Sequence, residues 1–266
     1  MASANNNSQL NKSGSLKGKA VIASSLLLAA SYAVQAEVTD TISKTYNFDS
    51  NGRIHLENVN GDVTIKACGC DQVTLNANIK ASSQEMRDRI TIDISASKNL
   101  LKVKTKYKEN RGSSWNNQSS EVHYTLSVPD NVKLKDIELV NGDLTINGVT
   151  GELHAELVNG SIKSDGMTAS TNIDMVNGDI NLSFNDISNA ENIELESVNG
   201  DIEVSLPADA SIDVEAETVS GTLSNEFGIE VIKHKYVGSE MRGKTGNGDL
   251  RIEMNNVNGR IKLKQI

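Results

Sequence analysis

Leu139-Val140-Asn141-Gly142-Asp143-Leu144-Thr145-Ile146 recurs along the chain as Leu157-Val158-Asn159-Gly160-Ser161-Ile162, Met175-Val176-Asn177-Gly178-Asp179-Ile180-Asn181-Leu182 and Ser197-Val198-Asn199-Gly200-Asp201-Ile202-Glu203-Val204. The glycines at 142, 160 and 178 stand 18 residues apart, and further copies follow at Gly200, Gly221 and Gly259. A fixed period of that size, with apolar residues alternating on both sides of an Asn-Gly step, is the pattern of stacked strand-turn-strand units.

Parity adds a constraint. Ile137 and Leu139 fall on odd positions, whereas Leu144 and Ile146 fall on even ones, so the apolar set changes register across Val140-Asn141-Gly142-Asp143. Two geometries satisfy this. A two-residue Asn-Gly hairpin would pair Leu139 with Leu144, giving an antiparallel β meander. A solenoid corner, with a residue in a left-handed conformation, would keep both flanking strands pointing inward. The exact repetition of letters favours the corner, because one coil then sets like residues over like at about 4.8 Å. The expected ladder is Asn141, Asn159, Asn177, Asn199, Ser220, Asn247 and Asn258, with stacked amides bonding along the axis beside Gly142, Gly160, Gly178 and Gly200. Two positions on, Asp143, Ser161, Asp179, Asp201, Thr222, Asp249 and Arg260 form a second column in which Asp179 and Asp201 are the adjacent carboxylates. In this reading Leu157 points inward, and Asp there should unfold the array.

The N-terminal half differs. Candidate strands are 41–48, 53–57, 62–67, 72–81, 90–95, 100–107 and 121–128, several with clean alternation, as in Val73, Leu75, Ala77 and Ile79. These read as antiparallel hairpins with one wet face. The phrase Asn58-Val59-Asn60-Gly61-Asp62-Val63-Thr64-Ile65 already occurs there, so residues 37–136 should pack onto an array spanning 137–266. The 27 residues from Gly221 to Gly248 suggest an inserted strand and loop, and the basic end, Arg260, Lys262 and Lys264, suits a protected terminal edge.

Residues 1–36 read as a signal peptide: Lys12, Lys17 and Lys19 precede an apolar run from Ala20 to Val34, and Val34-Gln35-Ala36 offers a cleavage site. The run is shorter than the roughly 20 residues of a spanning helix, and nothing later is apolar enough to span a bilayer. Without those three lysines the net charge moves from −9 to −12. That charge disfavours nucleic acid, whose phosphates reward Lys and Arg. With three Phe, one Trp and five Tyr, the core must be built from small aliphatic side chains.

Chemistry is sparse. Cys68-Gly69-Cys70 can close a disulfide in an oxidising compartment, since the glycine lets the chain tighten; two intervening residues would be needed for the familiar redox motif. The lone tryptophan, Trp115, centres a polar loop over 108–120 and is a candidate partner contact. His55, His123, His154 and His234 are scattered without metal-ligand spacing. No cofactor is expected. A cation shared by Asp179 and Asp201, and a polysaccharide-active β-helix enzyme with paired carboxylates, stay open as alternatives.

The early phrase at Asn58 to Ile65, the Val128-Pro129 step, the phrases from Val140 to Asp201 and the closing stretch Gly246 to Leu263 together resemble a bacterial family of exported "putative adhesin" domains. That resemblance implies a right-handed single-stranded β-helix-like solenoid at the cell envelope, in the periplasm, secreted or at the cell surface. The resemblance brings no catalytic residues. The regularity of the array, broken by no convergent polar cluster, points separately to a non-enzymatic binding scaffold for an envelope or extracellular protein or polysaccharide, with a structural or envelope-stress protein without a ligand as the alternative.

Overall fold

The computed structural model describes residues 37–108 and 119–266; the expected signal peptide and Trp115 lie outside them. The strands are β1 (Val38–Asn47), β2 (Arg53–Asn60), β3 (Val63–Ala67), β4 (Gln72–Ala81), β5 (Ile90–Ser97), β6 (Leu100–Tyr107), β7 (Ser120–Val128), β8 (Lys133–Asn141) and β9 (Leu144–Asn147). They continue with β10 (Leu153–Asn159), β11 (Ile162–Asn177), β12 (Ile180–Asn199), β13 (Ile202–Leu206), β14 (Ile212–Asn225), β15 (Val231–Lys233), β16 (Ser239–Lys244) and β17 (Leu250–Gln265). A single short helix, α1 (Gln84–Asp88), interrupts them among the described residues and is capped by the Ser83 hydroxyl.

Each Asn-Gly phrase is a corner. Leu139 pairs with Leu157 of the next coil and Asn58 of the previous one, and Leu144 pairs with Ile162 and Val63; all four pairings are parallel. The strands flanking a corner therefore bond to neighbouring coils instead of to each other, which removes the meander of hairpins. The ladder continues through the bend, where the Gly178 N–H donates to the Asn199 carbonyl at 2.9 Å. Two faces result. Before the corner, β6, β2, β8, β10, β11, β12, β17 and β14 succeed one another. After it, β7, β3, β9, β11, β12, β13 and β17 do so, and β14 follows. The faces share long strands, so the sheet is continuous and open.

Between the faces lies a thin aliphatic interior. Val63, Leu144, Ile162, Ile180, Ile202 and Ile261 stack in one column, none more than 1% exposed. This column holds residues of similar size at one height, which the repeat supplies as Val, Ile and Leu. Leu157 is buried in a second column, and its neighbours Glu156 and Val158 face out.

Both ends are covered by antiparallel pairing. At one end β5 pairs with β6, β7 with β4, and β4 with β1. There the Tyr124 hydroxyl bonds to Thr105 Oγ1 at 2.7 Å, and burial pushes that phenol up to about 12. At the other end β16 runs antiparallel to β14, with β15 outside it.

The spatial order of the last coils departs from sequence order. β17 inserts between β12 and β14, so Asn258 stacks on Asn199 and Ser220 follows it. Asn247 takes no place in the column: Gly246 to Asp249 form a turn whose N–H groups at 247, 248 and 249 donate to Ser211 Oγ. The basic end is consequently an interior rung and no terminal edge. Charge complementarity explains the placement, since Arg260 lies on Asp201 and Lys264 on Glu203, the latter pair at 2.6 Å.

Candidate functional site

The corner column is a continuous amide ladder. Asn141 Nδ2 donates to Asn60 Oδ1 at 2.9 Å, and the same bond recurs from Asn159 to Asn141, Asn177 to Asn159, Asn199 to Asn177 and Asn258 to Asn199 at 2.9–3.0 Å. Each asparagine between Asn60 and Asn258 uses one donor and one acceptor along the axis, an arrangement only a repeat can supply.

The carboxylate column is equally occupied. Asp62 Oδ1 accepts the Asp143 N–H at 2.9 Å, Asp143 the Ser161 N–H at 2.8 Å, Asp179 the Asp201 N–H at 2.8 Å and Asp201 the Arg260 N–H at 2.8 Å. Asp62 and Asp143 are thus a second adjacent pair beside Asp179 and Asp201. These acids brace the turn above them. The glycine between the columns is obligatory: at Gly178, φ is +134° and a Cβ would lie 1.7 Å from the Gly160 carbonyl oxygen. Cys68 and Cys70 are joined as a disulfide with Cα atoms 5.3 Å apart, in the turn after β3, where the Gly69 N–H donates to Asp130 Oδ1 at 2.8 Å. None of the three lines the groove described next.

One outer surface stands apart. On the face before the corner, the residue preceding each ladder position is valine: Val59, Val140, Val158, Val176, Val198, Val257 and Val219 in spatial order. They are between 37% and 52% exposed, so seven aliphatic side chains form an uncovered stripe roughly 29 Å long at the ordinary strand spacing. Two residues earlier on the same strands, and so on the same side of the pleat, runs a second row: Glu57, Glu138, Glu156, Asp174, Glu196, Asn255 and Glu217.

From Glu138 and Val140 onward the two rows floor a groove of about 740 Å³, overhung at one end by His234, Val237 and Gly238 between β15 and β16. The acid row is compensated at its ends only. Lys104 pairs with Glu57, and Arg242 reaches Glu215 at 2.7 Å and Glu217 at 2.9 Å. Among the described residues, no Lys or Arg comes within 4.0 Å of Glu138, Glu156, Asp174 or Glu196; Glu156 has only the His154 ring, at 3.7 Å. Burial, followed by the charges of Glu57 and Glu156, pushes the Glu138 carboxyl above its ordinary range.

These rows escaped the sequence reading, which took Val140 and its equivalents as parts of the turn. The signal was present in the parity: with Leu139 inward, Glu138 and Val140 must both face out. Among the described residues, no group of three His, Cys, Asp or Glu is arranged to hold a metal, and no helix is long and apolar enough to cross a membrane.

The family model of Toastrack DUF4097 matches residues 35–264. Among solved structures, the "putative cell adhesion protein" of Clostridium sporogenes is similar over 86% of this chain and 100% of its own, at 15% identity and a TM-score of 0.50. The "putative adhesin" of Bacteroides fragilis covers 85% and 97%, at 11% identity and a TM-score of 0.36. At 15% identity, the likeness to the Clostridium sporogenes protein speaks to the fold alone. No curated protein matches. A family model spanning nearly every described residue decides the matter: the chain belongs to the Toastrack DUF4097 family.

Proposed function

We propose that this protein is a non-enzymatic, exported β-solenoid, wound in the right-handed sense usual for parallel crossovers, that presents its valine-striped face to a protein or polysaccharide of the cell envelope or the exterior. The observation that carries the reading is the stripe itself. Soluble monomers seldom leave a long contiguous apolar patch uncovered, and one bordered by charge marks an interaction surface. Stacked repeats supply such extended surfaces. The carboxylates of the corner column are committed to backbone N–H groups, which supports structural service for them instead of acid-base work.

The test is capture from an envelope extract with the full chain as bait, alongside a variant carrying Val158→Lys, Val176→Lys and Val198→Lys. Species held by the native chain and lost with the variant support the reading. Recovery of nothing above background would favour the rival, a structural envelope protein without a ligand.

A further inference from the structure

The valine and acid rows together specify more than an apolar contact. They are parallel, two residues apart on each strand and so about 7 Å from one another, and each repeats at about 4.8 Å. In the middle of the acid row, Glu138, Glu156, Asp174 and Glu196 occupy four successive rungs with no Lys or Arg of this chain within 4.0 Å among the described residues, Lys104 acting on Glu138 only from farther off. Neighbouring carboxylates at that spacing repel by about 1 kcal/mol even in a water-like dielectric. The chain pairs both ends of the row with Lys104 and Arg242 and leaves the centre without a Lys or Arg ion pair among the described residues, beside its most regular run of exposed aliphatics.

We infer that the groove receives a cationic amphipathic α-helix of a partner protein, lying along the solenoid axis with aliphatic side chains on the valine row and Lys or Arg on the row from Glu138 to Glu196. This rests on the scaffold reading above and names the chemistry of its partner. The geometry selects a helix over an extended strand. Successive turns of a helix face advance 5.4 Å, against about 6.7 Å between like-facing residues of a strand, so the helix stays closer to the rung spacing. A helix of about 20 residues matches the length of the stripe. Helices that dock in grooves offer anchors at i, i+3, i+4 and i+7, which sets an apolar line beside a charged one. A second copy docking by this same face would add a second acid row, and an anionic membrane surface would be repelled; a cationic amphipathic helix gains charge pairing on the acid row and apolar burial on the valine row.

The probe is a fluorescently labelled helix of about 20 residues composed of Leu and Lys in amphipathic register, titrated with the full chain by anisotropy. Binding should weaken as salt rises. A face variant, Glu138→Gln, Glu156→Gln, Asp174→Asn and Glu196→Gln, should lose roughly tenfold or more in affinity. A control variant with the same change in charge on other exposed acids, Asp71→Asn, Glu191→Gln, Asp209→Asn and Glu230→Gln, should bind as the native chain does. Replacing Leu by Ser in the probe should also cost about tenfold or more. Should the fourfold face variant fail to fold, Glu156→Gln alone is compared with Glu191→Gln.

Equal loss in face and control variants would reduce the effect to net charge and overturn the inference. So would absence of binding by the native chain, equal binding of the Ser/Lys helix or of a Leu/Glu helix, or preferential binding to phosphatidylglycerol vesicles. If the extract experiment yields a partner that depends on the valine row while the Leu/Lys helix does not bind, this inference fails and the scaffold reading stands. If the helix binds through the face and no extract species depends on the valines, the scaffold reading is the one that fails.

Discussion

Asn258 lies on Asn199, its Nδ2 donating to Asn199 Oδ1 at 3.0 Å across 59 residues of sequence. The contact fixes β17 inside the stack, where Arg260 then meets Asp201 through its backbone N–H at 2.8 Å and its Nε at 2.9 Å.

Asp201→Asn keeps the shape of that clasp and removes its charge. The Arg260 guanidinium holds the Asp201 carboxyl below its ordinary range of about 3.8. A depressed folded-state value means the stabilisation is present above the unfolded value and is lost as pH falls through the folded one. The variant should lose about 1 kcal/mol of unfolding free energy at neutral pH, since the pair is partly exposed, and should approach the native chain below pH of about 4. Denaturant titrations across that range would expose the opposite result, a gap independent of pH.

Asn177→Ala removes one donor and one acceptor from the middle of the ladder, the bonds to Asn159 at 3.0 Å and from Asn199 at 2.9 Å. A loss of about 1 to 2 kcal/mol is expected for two exposed amide bonds. Asn247→Ala, outside the ladder, should change stability by no more than about 0.5 kcal/mol. Similar losses for the two would remove Asn247 from the turn assigned to it here.

Gly178→Ala should cost more than about 3 kcal/mol or prevent folding, because the new methyl group would meet the Gly160 carbonyl oxygen at 1.7 Å in backbone that cannot yield without breaking the rung. Gly228, at φ +74°, has nothing within 4 Å of a Cβ, so Ala there carries only the left-handed penalty of about 1 to 2 kcal/mol. Thermal melts of both variants separate close approach from backbone conformation.

Glu138→Gln should raise the melting temperature near neutral pH. Burial and the neighbouring Glu57 and Glu156 favour the protonated form of Glu138 in the fold, so the native chain carries a penalty above the folded-state value that vanishes below the unfolded one. The gain should therefore disappear toward acid pH. A variant less stable than the native chain at neutral pH would show that Glu138 serves the fold after all.

The corner and its parity were legible because they depend on local rules. Asn-Gly permits the left-handed bend, and the shift from Leu139 to Leu144 reports which side of each strand meets the interior. The valine and acid rows were equally encoded, at one and three positions before each asparagine, but they read as ordinary exposed residues until the registers lined them up. A single exposed valine is commonplace; seven in a row constitute a surface.

The sequence by itself determined that every phrase bends the chain and which residues of it face inward. Only the tertiary structure decided which rung lies on which. The phrases are nearly identical, so each offers the same amide, the same N–H groups and the same aliphatic columns to any neighbour, and local chemistry cannot rank the partners. The ranking came from long-range pairing: Arg260 and Lys264 match the acids of Asp201 and Glu203, and β16 covers β14, leaving β17 the interior place between β12 and β14.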